Sequence, residues 1–274
     1  MQSHDTTCLI TGATDGVGRA VAVALGEPGV TILLHGRDAV RGAEVIDEIA
    51  KTGARAMFYR ADFSSLAEVR ALAAAVSADH RRLDLLINNA GIGSRSGGHA
   101  RRTSAEGHEL RFQVNYLAGF LLTRLLLPLL RASRGARIIN VASAGQAPID
   151  FDDPMLTRAY DGARAYCQSK LAQIMFTFDL AEELSGSGVT VNALHPATYM
   201  ATTMVREAGV EPVSTVEEGA RAILKLARSA ELEGRSGLYF HGRRVARAHE
   251  QAYERAARRR LAALSRTLTG LSGR

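Results

Sequence analysis

Short apolar runs alternate with longer amphipathic stretches along the whole chain of 274 residues. The apolar runs predict strands at 7–10, 30–34, 56–59, 83–87, 137–141, 189–194 and 238–240. The stretches between them predict helices, most clearly at 40–51, 66–78, 105–130 and 165–184. Such alternation is typical of βαβ units, in which a parallel sheet carries helices on both faces. The pattern therefore predicts an α/β fold with about seven parallel strands.

Nothing in the pattern divides the chain, since it contains no linker, repeat or low-complexity segment. We therefore predict a single doubly wound, Rossmann-type domain over residues 1–274, with ligands at the carboxyl ends of the strands. Residues 242–274 predict a C-terminal helical extension, which is basic and carries an apolar stripe from Tyr253 to Leu271. Docking of this helix on its own domain is favoured over contact with a membrane or nucleic acid.

Composition narrows the function classes. Apolar residues make up 46% and charged residues 23% of the chain, which are ordinary values for a globular protein. The most apolar run, 116–130, is interrupted by Arg124 and Pro128, and no leader-like segment precedes the first strand, so we expect a cytoplasmic protein without a membrane span. Cys8 and Cys167 lie far apart, which predicts neither a metal site nor a disulfide. The net charge of +6 is spread along the chain, and we expect no nucleic-acid partner.

The first predicted strand runs into a glycine-rich turn and then into a helix, in the sequence TTCLITGATDGVGRA. Gly12, Gly16 and Gly18 lie at the joints, where the absence of a Cβ lets the backbone approach a ligand closely. The start of a helix offers unpaired N–H groups and a positive dipole end to an anion. The segment thus predicts a pyrophosphate site, although a glycine-rich surface turn would show the same spacing.

Charged residues follow the second and third strands, where the adenosine half of a dinucleotide would lie. Arg37 is placed to pair with a 2′-phosphate, which favours NADP(H) over NAD(H). Asp15, an acid inside the phosphate loop, weakens that preference, and a solvated surface arginine is the alternative. Asp62, which precedes Phe63, would accept a hydrogen bond from an adenine amino group or cap the next helix.

Two further strand ends carry polar residues. The fourth strand is followed by Asn89, Ala90 and Gly91, which are either turn residues or cofactor contacts. The sixth ends at Pro196, and Thr198 beyond it is placed to bond a carboxamide. Residues 199–209 then predict a short helix that covers the substrate.

The remaining strand end carries the candidate chemistry. Ser143 closes the fifth strand, and the irregular connection 144–162 after it is typical of a segment that covers a binding site. Tyr166 and Lys170 then share one helix face, where an ammonium would lower the tyrosine pKa from about 10 toward the working range. An ordinary surface pair is the alternative. Asn115, inside the long apolar helix, is either a satisfied core amide or a functional one.

These motifs stand in a familiar order: TGATDGVG, NNAG, Asn115, Ser143 and Tyr166-x-x-x-Lys170. Over essentially its whole length the chain resembles the short-chain dehydrogenase/reductase family. Within that family it is most similar to the retinol dehydrogenase-like branch, through YCQSKLAQ, GVTVNALHPA and GLYF followed by a C-terminal helix.

The resemblance implies a role for each residue. Tyr166 would be the general acid/base, Lys170 would lower its pKa and bond the nicotinamide ribose, and Ser143 would orient the substrate oxygen. Asn115 would hold a helix kink and a proton-relay water. The implied cofactor contacts are Gly12, Gly16, Val17 and Gly18 on the pyrophosphate, Arg37 on the 2′-phosphate, Asp62 on the adenine, Asn89 on the adenosine side, and Pro196 and Thr198 on the nicotinamide. The predicted cofactor-binding set also includes Asp15, Phe63, Ala90, Gly91, Tyr166 and Lys170.

The chain is accordingly expected to be an NADP(H)-dependent oxidoreductase that interconverts an apolar primary or secondary alcohol and its aldehyde or ketone. The alternatives are the same chemistry with NAD(H), or a non-catalytic dinucleotide sensor. Two departures from the family are Ala197 in place of the usual glycine after Pro196, and the lack of the amino-terminal anchor of membrane-bound retinoid enzymes. The apolar helices at 105–130 and 165–184 would be the usual pairing surfaces, so a homodimer or homotetramer is expected.

Overall fold

One sheet of eight strands organises the computed structural model, which describes residues 6–95, 98 and 100–271. Its spatial order is β3-β2-β1-β4-β5-β6-β7-β8, in which the first seven strands are parallel and β8 pairs antiparallel with β7. The strands are β1 (Thr6–Thr11), β2 (Val30–Gly36), β3 (Arg55–Arg60), β4 (Leu85–Asn88), β5 (Arg137–Val141), β6 (Thr190–His195), β7 (Leu238–His241) and β8 (Arg244–Ala246). The predicted doubly wound sheet is confirmed, with β8 as an additional strand.

Helices cover both faces of the sheet. They are α1 (Gly16–Leu25), α2 (Ala39–Ala50), α3 (Leu66–Asp79), α4 (Leu110–Phe112), α5 (Ala118–Arg131), α6 (Gly162–Glu183), α7 (Thr203–Glu207), α8 (Val216–Arg228) and α9 (Arg255–Thr269). A π-helical turn, Gln113–Leu117, joins α4 to α5 in one continuous helix. One apolar core lies between the sheet and α3, α5, α6 and α9, and a second lies between the sheet and α1, α2 and α8.

The long helix begins later than the sequence predicts. The expected start near residue 105 is wrong, because Gly107 adopts a φ of +82° and the chain turns there. Glu109 instead caps the helix, since its carboxylate accepts the N–H of Phe112 at 2.7 Å. Thr103 and Glu106 have the Thr-x-x-Glu spacing of a capping box, which predicts a helix start here. Glu106 instead accepts the N–H of Leu66 at the start of α3.

The continuous helix Leu110–Arg131 is, among the described residues, the one that is long and apolar enough to cross a membrane by length and composition. Pro128 lies inside it without ending it. Of its most apolar window, 72% is buried inside the protein. Its apolar side chains thus pack in the core.

The C-terminal segment is not wholly helical, as the sequence suggested, because β8 and a short 3-10 helix (Glu250–Tyr253) precede α9. The helix docks on its own domain. Leu261 is buried in the core beside α6, and the Arg258 guanidinium lies 3.4 Å from Asp179 and 2.8 Å from Glu182. Residues 272–274 of the predicted extension lie outside the described residues.

Candidate active site

The sheet order places the predicted motifs at one edge. The order of the strands reverses between β1 and β4, so the loops after these two strands lie side by side at their carboxyl ends. Ligands of open α/β sheets bind in the crevice that opens at such a point. The glycine loop follows β1, and Asn89 to Gly91 follow β4, so both face this crevice.

The glycine loop is shaped by its glycines. Gly12 and Gly16 have φ angles of +65° and +53°, a conformation that side chains disfavour. A Cβ on Gly18 would lie 2.1 Å from the carbonyl oxygen of Gly12. Helix α1 therefore begins directly against the loop, with the first N–H groups of Val17 and Gly18 at its end.

Asn89 and Ala90 hold this loop through hydrogen bonds to Thr11 and Gly12. The Asn89 amide donates to the carbonyl oxygens of Thr11 at 2.9 Å and Gly12 at 3.0 Å. The buried Thr11 hydroxyl accepts the N–H groups of Asn89 and Ala90. Asn89 therefore shapes the phosphate loop directly, and Thr11 is a supporting residue that the sequence analysis missed.

Asp15 caps α1 rather than facing a ligand freely. One carboxylate oxygen accepts the N–H of Gly16 at 2.7 Å, and the other accepts the hydroxyl proton of Thr203 at 2.8 Å. The Arg41 guanidinium lies 3.5 Å from the same carboxylate. Arg41 thus offsets the negative charge inside the loop. Thr203 belongs to α7, so the segment after β6 closes onto the glycine loop.

The adenosine end holds an exposed arginine. The side chain of Arg37 is 70% exposed, and its guanidinium lies 4.0 Å from the carboxylate of Asp62. Asp38 is committed to capping α2, because it accepts the N–H groups of Val40 and Arg41. Arg37 is therefore available to an anion beyond the end of β2.

Asp62 and Phe63 differ in accessibility. Asp62 accepts the N–H of Ser64 at 2.8 Å, while Ser65 caps α3. The ring of Phe63 is buried and stacks on His35, with the centroids 4.1 Å apart, so this ring is not available to an adenine. His35 in turn accepts the N–H of Gly12, and burial lowers its pKa to about 4.

Asn115 lies in the middle of the π-helical turn. Such turns in α-helices are frequent at functional sites. Its carbonyl oxygen accepts the N–H of Ile92 at 2.8 Å, and its amide donates to Ile92 O at 3.1 Å and to the Ser169 hydroxyl at 3.0 Å. Asn115 therefore ties the loop after β4 to α6.

Ser143 and Tyr166 meet across Gly145. A Cβ on Gly145 would lie 3.6 Å from Ser143 Oγ and 3.8 Å from Tyr166 Cε1. The hydroxyl oxygen of Ser143 also accepts the N–H of Gly145 at 3.1 Å. The strand end and the helix thus bring the two predicted catalytic hydroxyls together.

Lys170 is buried one helical turn beyond Tyr166. Its Nζ donates to Val141 O at 2.9 Å and to Gln173 Oε1 at 3.0 Å, and lies 5.8 Å from the centroid of the Tyr166 ring. A Cβ on Gly91 would lie 3.5 Å from this Nζ, so the ammonium reaches the crevice. Within the described part of the chain, two of its three N–H donors are bonded to oxygen.

The expected lowering of the tyrosine pKa by Lys170 is wrong for this arrangement. Burial raises the pKa of Tyr166 above its ordinary value, and a hydrogen bond with Ser143 opposes part of that rise. Burial also lowers the pKa of Lys170 to about 7. The ammonium points at Val141 and Gln173, so desolvation determines the protonation of the tyrosine.

The end of β6 closes the other side of the crevice. Pro196 is buried, whereas Thr198 is exposed and its hydroxyl lies 3.0 Å from His195 Nε2. Burial, together with the nearby His241, lowers the pKa of His195 to about 4. Thr198 thus lies on the surface just after β6. It is far from the glycine loop in sequence, but both follow the carboxyl ends of strands in the same sheet.

A buried ion pair that sequence reasoning missed supports both site loops. Arg111 and Glu109 are 0% and 1% exposed, with 3.5 Å between their charged groups. The guanidinium donates to the carbonyl oxygens of Gly93 and Ser94 after β4, and to the hydroxyl of Tyr160 before α6. In the sequence, the one sign of this pair is that Glu109 and Arg111 lie two positions apart at the start of an apolar segment.

The residues present fit a dinucleotide. The tight approach of Gly18 to Gly12 leaves no room for a Cβ at the helix start, which is the geometry that a pyrophosphate requires. Arg37 supplies a cation at the adenosine end, and Lys170 has a donor facing the crevice. A dinucleotide held in this way would place its reactive end next to Ser143 and Tyr166.

Comparisons with known proteins agree with this geometry. Residues 6–212 match the family described as short chain dehydrogenase. The chain is 37% identical over 289 residues to the Homo sapiens protein named retinol dehydrogenase 13, covering 97% of this chain and 85% of that protein. It is also 37% identical over 285 residues to the Mus musculus protein named polyprenol dehydrogenase, covering 97% and 84% respectively.

Among solved structures, the fold is similar to that of the Pseudomonas aeruginosa RhlG/NADP active-site complex. The TM-score is 0.68 with 29% sequence identity, and the match covers 88% of this chain and 97% of that chain. The similarity therefore extends to the structure of an NADP complex.

Proposed function

The chain belongs to the short-chain dehydrogenase family, in its retinol dehydrogenase-like branch, and from this premise we propose that it is an NADP(H)-dependent oxidoreductase of apolar alcohols and carbonyls. An NAD(P)-dependent oxidoreductase acting on CH–OH groups follows from the family itself. The preference for NADP(H), the apolar substrate and the individual residue roles are our proposal.

One observation carries the proposal. A Cβ on Gly145 would lie within 4 Å of both Ser143 Oγ and the Tyr166 ring, and a Cβ on Gly91 would lie 3.5 Å from Lys170 Nζ, so all three side chains lie at the sheet edge that holds the glycine loop. A proton donor, an oxygen-orienting hydroxyl and a dinucleotide cradle are thus assembled in one place.

The chemistry divides among these side chains. A bound nicotinamide dinucleotide supplies or accepts the hydride at the carbinol carbon of the substrate. In the reducing direction Tyr166 donates its phenolic proton to the carbonyl oxygen, and in the oxidising direction it takes that proton back. Ser143 holds the same oxygen through its hydroxyl. Lys170 would offer its remaining N–H to the nicotinamide ribose, and Asn115 keeps the loop after β4 against α6.

An apolar alcohol or carbonyl is the proposed substrate class. The relatives named for retinol and polyprenol support it, because both compounds are apolar isoprenoid alcohols. A non-catalytic dinucleotide sensor is disfavoured by the assembled hydroxyl pair. Cytoplasmic location and a homodimer or homotetramer stay predictions. Two copies of the chain that paired through α6 would have to contact the part of α6 that α9 does not cover.

NADP(H) is proposed because Arg37 is exposed beyond β2, while Asp38, the acid that follows it in sequence, is engaged as a cap. A charge-assisted hydrogen bond contributes about 1.5–3 kcal/mol, so Arg37→Ala is expected to raise the KM for NADPH by about 10- to 150-fold. The KM for NADH should change little, because NADH has no 2′-phosphate. Steady-state kinetics with both cofactors measures the ratio of the KM for NADPH to the KM for NADH in each protein.

The matched control for this prediction is Arg55→Ala, which removes an exposed arginine at the opposite end of the same part of the sheet. It should leave both KM values unchanged. An equal rise of both KM values in Arg37→Ala, or no rise in either, would show that Arg37 does not read the 2′-phosphate and would favour NAD(H).

A further inference from the structure

The segment 144–162 links the two catalytic hydroxyls, since it begins after Ser143 and leads into α6, which carries Tyr166. Its position therefore helps to set how these residues face each other. Regular secondary structure does not hold it. Instead, the side-chain amides of Gln168 and Gln251 bond its backbone. Another glutamine, Gln146, lies within the segment, and its side-chain amide bonds the backbone of Ser143 and of His249.

Gln251 reaches the segment from far along the chain. Its Oε1 accepts the N–H of Ile149 at 2.7 Å, and its Nε2 donates to the carbonyl oxygen of the same residue at 3.2 Å. The amide thus satisfies both backbone groups of Ile149, as a neighbouring strand would. Ile149 is 3% exposed, so this is a buried anchoring point.

Gln146 connects the same C-terminal region to Ser143. Its Nε2 donates to Ser143 O at 3.0 Å, and its Oε1 accepts the N–H of His249 at 2.7 Å. The hydroxyl of Tyr239, on β7, donates to Ser143 O as well, at 3.0 Å. The carbonyl oxygen of Ser143 is therefore held directly by Tyr239 and, through Gln146, by His249, and both Tyr239 and His249 follow α6 in the chain.

The third glutamine holds the far half of the segment. Gln168, on α6 between Tyr166 and Lys170, accepts the N–H of Asp150 at 3.1 Å and donates to Pro154 O at 2.8 Å. The far half of the segment, by which we mean residues 150–162, is thus bonded to α6. The near half, residues 144–149, is bonded to the C-terminal turn, by which we mean residues 249–253.

We propose that Gln251 is a positioning residue, which from the C-terminal turn fixes the near half of segment 144–162 and thereby the Ser143 hydroxyl relative to Tyr166. This inference rests on the proposed function. Because the dinucleotide cradle is built from β1, β2 and β4, loss of Gln251 affects the carbonyl substrate and leaves cofactor binding unchanged.

The test compares Gln251→Ala, Gln251→Glu and the control Glu250→Ala, whose exposed side chain lies in the same turn. Straight-chain aldehydes from butanal to dodecanal serve as probes with NADPH. Loss of two neutral hydrogen bonds is expected to lower kcat/KM for the aldehydes by about tenfold in Gln251→Ala, with the KM for NADPH unchanged. Backbone hydrogen exchange at Ile149 should accelerate in the same variant.

Gln251→Glu supplies a readout that a general loss of stability would not move. A carboxylate accepts the Ile149 N–H but cannot donate to its carbonyl, whereas a protonated carboxyl does both. The activity of Gln251→Glu relative to the wild-type chain should therefore rise as the pH falls. A constant ratio across pH would contradict the two-bond arrangement.

The outcomes separate this inference from the proposed function. An active wild-type chain with Gln251→Ala as active as Glu250→Ala would overturn the inference alone. Faster exchange at Ile149 with unchanged kcat/KM would also overturn it, because the segment would then be free of Ser143. A wild-type chain that oxidises no NADPH with any of these aldehydes would overturn the proposed function for this substrate class, and the positioning role of Gln251 with it.

Discussion

Replacing Tyr166 by phenylalanine is expected to lower kcat for carbonyl reduction by about 10²- to 10⁴-fold, the contribution that general acid catalysis typically makes. The variant keeps the ring that packs beside Lys170 and Gly145 but loses the proton that goes to the carbonyl oxygen. Cofactor affinity should not change, because the glycine loop and Arg37 are untouched. Turnover and NADPH binding by fluorescence, measured on one preparation, separate the two effects.

The pH dependence adds a second readout for Tyr166. Burial raises its pKa above the ordinary value, so the phenol is protonated at neutral pH and can serve as an acid. Carbonyl reduction by the wild-type chain should fall as the pH rises through that pKa, and alcohol oxidation should increase over the same range. Tyr59→Phe, at the β3 edge of the sheet, is the control and should retain full activity. Equal turnover of Tyr166→Phe and the wild-type chain would contradict the assigned role.

Replacing Arg111 by methionine is expected to destabilise the fold by about 3–5 kcal/mol, because it leaves a buried carboxylate without its cation. Glu109 is 1% exposed, and among the described residues its carboxylate would keep the bonds from the Phe112 N–H and the Tyr160 hydroxyl. The loops after β4 and before α6 would lose their shared donor. The free energy of unfolding, measured from urea titrations, gives the difference directly.

Arg134→Met provides the comparison for that experiment, since Arg134 is exposed in the turn before β5. The free energy of unfolding of this variant should lie within about 0.5 kcal/mol of that of the wild-type chain, as is usual for surface substitutions. An Arg111→Met midpoint indistinguishable from that of Arg134→Met would mean that the buried ion pair adds no net stability. Arg111→Lys, which keeps the charge but not the planar set of donors, should give an intermediate loss.

The fold was largely predictable from the pattern of apolar residues, because the seven parallel strands each leave a short apolar run and the helices between them are amphipathic. The site was predictable where its residues lie at strand ends, as Ser143 and Asn89 do, since parallel strands bring their carboxyl ends to one edge. Tyr166 and Lys170 were predictable as a pair from helical spacing alone. These features depend on local sequence.

What the sequence did not predict depends on contacts between distant residues. The helix start at Leu110 is set by Gly107 and by the cap from Glu109, which outweigh the apparent capping pattern upstream. The pKa of Tyr166 follows from burial and from the direction in which Lys170 points, and neither is visible in residue spacing. The bond between Gln251 and Ile149 joins residues 102 positions apart.

Transfer of deuterium tests the central claim most directly. The wild-type chain would be incubated with NADPH deuterated at nicotinamide C4 on either face, together with straight-chain aldehydes, and the alcohols analysed by mass spectrometry and NMR. We expect one deuterium on the carbinol carbon from one of the two labelled faces, and about 10²- to 10⁴-fold slower labelling when Tyr166→Phe is used at the same concentration. Tight binding of NADPH without label in any alcohol would contradict it, and would identify the chain as a dinucleotide-binding protein that does not reduce these carbonyls.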